Sequence, residues 1–141
     1  MIDRRFTKFK LKEKMPKKDV SSAIDIKFIM HVFYKKLLAD EHLSPFFTHV
    51  THVADHLEEH LNLLTTFWSQ SLFQTGGYYN NMFYIHKNVH EQMPFEEKHY
   101  KLWLDHFFKS IDENYRGENA ERMKNQSLSM ATIMKVKGLS S

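Results

Sequence analysis

The chain contains no cysteine in its 141 residues. That absence removes disulfides, thiolate zinc sites, iron–sulfur clusters and a cysteine nucleophile, but leaves the redox compartment open. Glycine and proline are few, four and three, and the informative ones fall where helical segments start or stop. No stretch approaches the roughly 20 apolar residues of a membrane span. The N-terminus has no apolar core behind its charges, so no secretory signal is expected. Metalloprotease HExxH, EF-hand and glycine-rich phosphate-loop patterns are all missing. A soluble, cytoplasmic protein is the resulting expectation.

What is present is aromatic. Hydrophobic residues make up 42% of the chain and aromatic ones 14%, so a single domain of this length buries a ring-rich core. Charge is uneven. Residues 1–18 hold eight bases (Arg4, Arg5, Lys8, Lys10, Lys12, Lys14, Lys17, Lys18) against Asp3 and Glu13, a net of +6; the whole chain is +3, which leaves −3 on residues 19–141. A basic tail can touch nucleic acid or an anionic membrane, although such a segment is more often a solvated extension. The body carries no basic stripe and no nucleic-acid-binding motif, so neither nucleic acid nor membrane is an expected partner. The expected division is a basic extension over 1–20, one domain over 21–138 and a short tail over 139–141.

Hydrophobic periodicity is helical wherever it is clear. Asp19, Ser21 or Ser22 can cap a first helix whose stripe reads Ile26, Ile29, Phe33 and Leu37. Pro45 suits the first position of a short turn. A long helix is expected from about Val53 to Phe73, with Val53, Leu57, His60/Leu61, Leu64 and Phe67/Trp68 on one face and Gly76–Gly77 as its stop. A short segment follows around Met82–Val89. Pro94 opens another helix, where Glu96 and Glu97 suit the positive N-terminal end and the stripe is Tyr100, Trp103/Leu104, Phe107 and Ile111. A last helix runs from about Glu118 to Lys137 and stops at Gly138. No strand alternation or internal repeat appears, and the fold class is all-α.

Among ten histidines, His60 and His86 stand out, because they bracket the aromatic run Phe67–Tyr78. His60 lies on an apolar stripe, and His86 follows a glycine break. Two imidazoles inside one small helical domain suggest a flat cofactor between them, of which an iron porphyrin is the simplest. The bland alternative is a hydrogen-bonded core histidine, which is the commoner fate of a lone inward His. His52, His56 and His60 recur every four residues and could ladder a transition metal. At 100° per residue that ladder drifts around the helix, turning only His60 inward. His86 and His90 are also four apart, so either can face inward.

A larger ordered set carries a resemblance. Phe33–Tyr34, Leu43–Ser44–Pro45–Phe46–Phe47, His60, Phe67–Trp68–Ser69, Leu72, Thr75–Gly76 and Tyr78 precede His86. His99–Tyr100, Trp103–Leu104, Phe107, Asp112–Glu113, Gly117, Ala120 and Ala131 follow it. In this order and spacing residues 25–135 resemble the truncated haemoglobins, specifically their group III branch. The resemblance implies a truncated globin fold, a two-over-two helical sandwich around haem b. It makes His86 the proximal iron ligand, since neutral imidazole suits iron and leaves the opposite position open to a gas. Tyr34, His60 and Trp103 match the family's distal residues, supplying an O–H, an imidazole N–H and an indole N–H. Phe46 or Phe47 matches the phenylalanine packed on the porphyrin. Leu64 would wall the distal side, Met82 and Phe83 the proximal side, and Phe107 would complete the cofactor contacts.

The chain departs from that pattern at two places. Asn80 and Met82 stand where group III usually has glycine and proline, which removes a rigid start for the proximal helix. The loop from His86 to Trp103 is longer than usual, and His90 offers a second imidazole. The implied function is reversible binding of O2, with NO and CO as further gas ligands, by a monomer. An alternative is a haem redox enzyme acting on nitric oxide, peroxide or nitrite, which would need an external reductase because no flavin or NAD domain is attached. A third reading is a non-haem helical domain whose histidine ladder binds a metal.

Overall fold

Among the described residues four long helices frame the protein, and the apolar stripes dictate how they meet. The computed structural model describes residues 16–74 and 89–138. Helix α1 spans Ala23–Ala39, α2 Leu57–Phe73, α3 Glu97–Asp112 and α4 Glu118–Gly138. Helix α1 packs on both α2 and α3, and α4 packs on α3 and α2. The four form a closed cycle of neighbours around one core. Among the described residues there is no strand, only an isolated bridge between Lys18 and Tyr115.

Each helix turns its sequence stripe inward. Ile26, Ile29, Phe33 and Leu37 of α1 are buried together with Met30 and Tyr34, so the apolar face is wider than the minimal stripe. On α2 the buried side chains are Leu61, Leu64, Trp68, Ser69 and Leu72. Helix α3 buries Tyr100, Phe107, Ser110 and Ile111, while Trp103 and Leu104 are half-buried. Two buried hydroxyls on α3 and α4 satisfy themselves within the helix: Ser110 donates to the His106 carbonyl and Ser127 to the Lys124 carbonyl, each at 2.7 Å.

The helix ends differ from expectation. Ser22 is the N-cap residue of α1 but makes no side-chain cap bond; instead Asp25 reaches back to accept from the Ser21 backbone N–H at 2.9 Å. The first turn of the expected Val53–Phe73 helix is a separate 3₁₀ turn, Val53–His56, and His52 before it has a left-handed backbone at φ 57°. Helix α2 stops at Phe73, where Gln74 takes the left-handed position at φ 58° that the sequence assigns to a glycine. Gly76–Gly77 lie outside the described residues. Pro45 precedes a π-helical turn, Phe46–Val50, closed by the Thr51 N–H bonding to the Phe46 carbonyl at 3.1 Å.

Residues before the expected domain start are tied into the body. Val20 is fully buried. Asp19 caps α4, accepting from the backbone N–H groups of Asn119 and Ala120, each at 2.9 Å. Gly117 makes this approach possible: its φ is +151°, and a Cβ there would sit 2.4 Å from the Asp19 carboxyl carbon. No described helix is long and apolar enough to cross a membrane.

Candidate functional site

The inner faces of α1, α2 and α3 do not close completely. They leave a cavity of about 260 Å³, and α4 supplies Met130 and Met134 to its far wall. Seven of the sequence-selected site residues line it. Tyr34 comes from α1, His60 and Leu64 from α2, and Trp103 and Phe107 from α3. Phe46 and Phe47 come from the π-helical turn, a type of distortion often found at functional sites. The remaining three, Met82, Phe83 and His86, lie outside the described residues, as do Tyr78 and Asn80.

The polar centre of the cavity is a pair. The Tyr34 hydroxyl lies 2.7 Å from His60 Nε2, joining the middle of α1 to the start of α2. Tyr34 is buried, and burial pushes its phenol far above the ordinary tyrosine range, because the phenolate would lose its hydration. The group therefore stays a neutral O–H. Around it, Phe47 and His60 meet its ring edge-on at 5.4 and 5.1 Å, and Phe33 does so at 5.5 Å. These contacts fix the ring orientation and hence the direction of its hydroxyl.

A wall of rings backs this pair. Trp103 stacks on Phe107 with centroids 5.6 Å apart and planes 8° from parallel. Trp68 stacks on the same phenylalanine at 5.4 Å. Phe33 meets both Trp103 and Phe107 edge-on, at 5.6 and 5.1 Å. Such ring pairs contribute about 0.5–1.5 kcal/mol each beyond area burial. The Trp103 indole N–H makes no hydrogen bond among the described residues, so it remains a donor on the cavity wall.

The other histidines separate clearly. His52 and His56 are exposed, and among the described residues no three His, Asp or Glu side chains gather closely enough to hold a metal. The drift of the ladder is therefore real. His90 does not line the cavity; its Nδ1 accepts the Phe95 backbone N–H at 2.8 Å. A neutral imidazole has one lone-pair nitrogen, and in His90 that nitrogen is committed to the loop before α3.

Sequence reasoning gave no role to two residues that line the cavity, His99 and Tyr100. His99 closes a capping box: its Nδ1 accepts the Glu96 N–H at 2.8 Å while the Glu96 side chain takes the His99 backbone N–H. Burial holds its pKa below the ordinary histidine range, with Lys98 and His42 adding to the effect and Glu96 and Asp40 opposing it. Tyr100 is buried, and its hydroxyl has no hydrogen-bond partner among the described residues. A signal for His99 existed in the sequence, since Glu96-x-x-His99 at a helix start has capping-box spacing.

This donor set fits a haem. The walls are largely apolar and aromatic, burial keeps the Tyr34 phenol neutral, and Tyr100 holds a buried polar atom with no partner among the described residues. No protein-family model matches the chain. A group 3 truncated hemoglobin of Campylobacter jejuni is 28% identical over 107 residues, covering 75% of this chain and 79% of that protein. The crystal structure of a group III truncated hemoglobin from Campylobacter jejuni superposes with a TM-score of 0.74 at 22% identity, covering 85% of this chain and 93% of the other.

Proposed function

We propose that this chain is a truncated haemoglobin of the group III kind, a reading its fold and sequence similarity support, and that it binds haem b in the α1–α2–α3 cavity and uses it to hold O2 reversibly. The observation that carries this reading is the Tyr34–His60 pair at 2.7 Å inside a cavity walled mainly by apolar and aromatic side chains. Iron porphyrin would supply one open coordination position for a diatomic gas such as O2, NO or CO. His86 is the proposed iron ligand. Phe46, Phe47, Leu64 and Phe107 would pack against the porphyrin from the described side, and Met82 and Phe83 are assigned to the proximal side.

The pair acts as a switchable donor. Only one proton lies between the Tyr34 oxygen and His60 Nε2. When His60 donates it, the Tyr34 hydroxyl proton is released to point into the cavity. When Tyr34 donates it, the His60 ring is fixed in the opposite tautomer. A ligand carrying partial negative charge favours the first arrangement, with the Trp103 N–H as an additional donor. Hydrogen bonds of this kind are worth about 0.5–1.5 kcal/mol each, and more when charge-assisted. The surrounding rings exclude water from the same space, which strengthens each bond.

Absorption spectra of the haem-reconstituted protein in ferric, ferrous and CO-bound forms test the reading. An intense violet band and an open, five-coordinate ferrous state are expected. His86→Ala should lose the imidazole-ligated spectrum; an unchanged spectrum in that variant would remove His86 from its assigned role. Ligation by His90 is not expected, because it would require releasing the Phe95 N–H.

A further inference from the structure

We infer that His99 and Tyr100, consecutive residues at the start of α3, form a carboxylate-binding edge of the cavity that receives a haem propionate. This rests on the haem-binding reading above. The periphery of haem b carries methyl and vinyl groups and two carboxylates, so the carboxylates are its only hydrogen-bonding substituents. Any uncommitted donor at the cavity edge can be satisfied by haem only through them.

Two such donors line the cavity from consecutive positions of α3. The Tyr100 hydroxyl is buried and has no partner among the described residues, although the ring is well held: Phe95 meets it edge-on at 5.8 Å. A buried hydroxyl left unpaired is costly; of the two such hydroxyls among the described residues, Ser69 and Tyr100, Tyr100 is the one that lines the cavity. The second donor follows from tautomer logic. His99 Nδ1 is occupied as the acceptor of the Glu96 N–H, so in the neutral ring the proton resides on Nε2. That N–H makes no hydrogen bond among the described residues, while the ring lines the cavity and meets Phe46 edge-on at 4.9 Å.

Charge at this edge is mixed: the carboxylates of Glu96 and Asp40 act on His99 and that of Glu97 on Tyr100, and a lysine offers compensating charge. Lys135 Nζ lies 5.9 Å from the Tyr100 ring centroid and pairs with Glu97 at 2.6 Å, within a side chain's swing of the hydroxyl. His99 is half-buried rather than sealed, which leaves an arriving carboxylate partly hydrated. That partial hydration is needed, because a fully buried, unpaired carboxylate would be expelled or protonated.

The test compares haem with haem dimethyl ester, whose carboxyl groups are capped. Each is loaded into the wild-type protein and into Tyr100→Phe, and loss to an excess of an apo-globin acceptor is timed. Wild type should lose the ester faster than haem. Tyr100→Phe should lose haem at least about tenfold faster than wild type, the lower end of the effect of one charge-assisted bond, while losing the ester at the wild-type rate. The apo form of Tyr100→Phe should melt no lower than apo wild type, because an unpaired hydroxyl has been removed. Equal haem loss from the two proteins, or equal acceleration for haem and ester, overturns the inference. A wild-type protein that retains neither porphyrin overturns the haem reading itself, and with it this one. His99→Phe is a second arm: it should also accelerate haem loss selectively, and acceleration of both porphyrins there would assign His99 to helix capping alone.

Discussion

At the scale of single residues, the cavity is governed by where protons can sit. Burial keeps the Tyr34 phenol neutral, so in the proposed function it serves as a donor whose direction depends on His60. Removing it should therefore be felt in ligand release more than in ligand entry. Tyr34→Phe in the haem-loaded protein is expected to raise the O2 dissociation rate by about 2–10-fold, the range corresponding to one hydrogen bond, measured by flow mixing of the oxygenated form with CO. Trp103→Phe should do the same to a similar extent, because its N–H is not engaged elsewhere in the described protein while its stacking on Phe107 can be kept by phenylalanine. Unchanged release in both variants would remove hydrogen bonding from the account of ligand retention.

At the scale of elements, helix ends decide stability and helix faces decide function. Asp19 serves the N-terminus of α4 from 100 residues away, and its carboxylate is well placed to satisfy two otherwise orphaned amides. Asp19→Ala should cost about 0.5–2 kcal/mol, read as a lower urea midpoint. Gly117→Ala should also destabilise, since a side chain there meets both an unfavourable φ and the Asp19 carboxyl. The faces were legible in the sequence: Ile26, Ile29, Phe33 and Leu37 on α1, and Tyr100, Phe107 and Ile111 on α3, are buried as their spacing requires. The ends were less so. A left-handed Gln74 in place of a glycine, and a Ser22 cap replaced by the carboxylate of Asp25, depend on tertiary contacts that local propensity does not encode. Asp19 capping a helix so remote in sequence had no local signature at all. His99 and Tyr100 were visible as members of an ordered set, but their chemistry required knowing which nitrogen was occupied and which hydroxyl was not.

At the scale of the molecule, three buried or half-buried carboxylates make the fold acid-sensitive. Burial pushes Asp19, Asp25 and Asp40 up, but their hydrogen bonds outweigh it and hold all three below the ordinary aspartate value. The bonds come from α4 amides for Asp19, from Lys18, Ser21 and Tyr115 for Asp25, and from His106 and the His42 amide for Asp40. A carboxyl whose folded value is depressed contributes stability above its unfolded pKa of about 3.9 and loses it as pH falls through the folded value. Urea midpoints should therefore be flat through neutrality on account of these groups and fall steeply below about pH 4. Asp25→Asn should lower the midpoint at pH 7 and shrink the acid-induced fall; an undiminished fall would show that Asp25 is not one of the responsible groups. Binding of haem should stabilise the fold with the logarithm of free haem concentration, by about 4 kcal/mol at a thousandfold excess over Kd, read as a raised melting temperature.

The stacking of both tryptophans on Phe107 has an optical consequence. The chain has two tryptophans, and Trp68 and Trp103 line the same cavity, so no indole sits at a distance to act as an internal reference. A porphyrin seated against that wall would drain the excited state of both at once. The emission of the protein is thus a nearly all-or-none gauge of cavity occupancy, dark when filled and bright when empty. Each of the loss experiments above can be followed by the return of light at one wavelength.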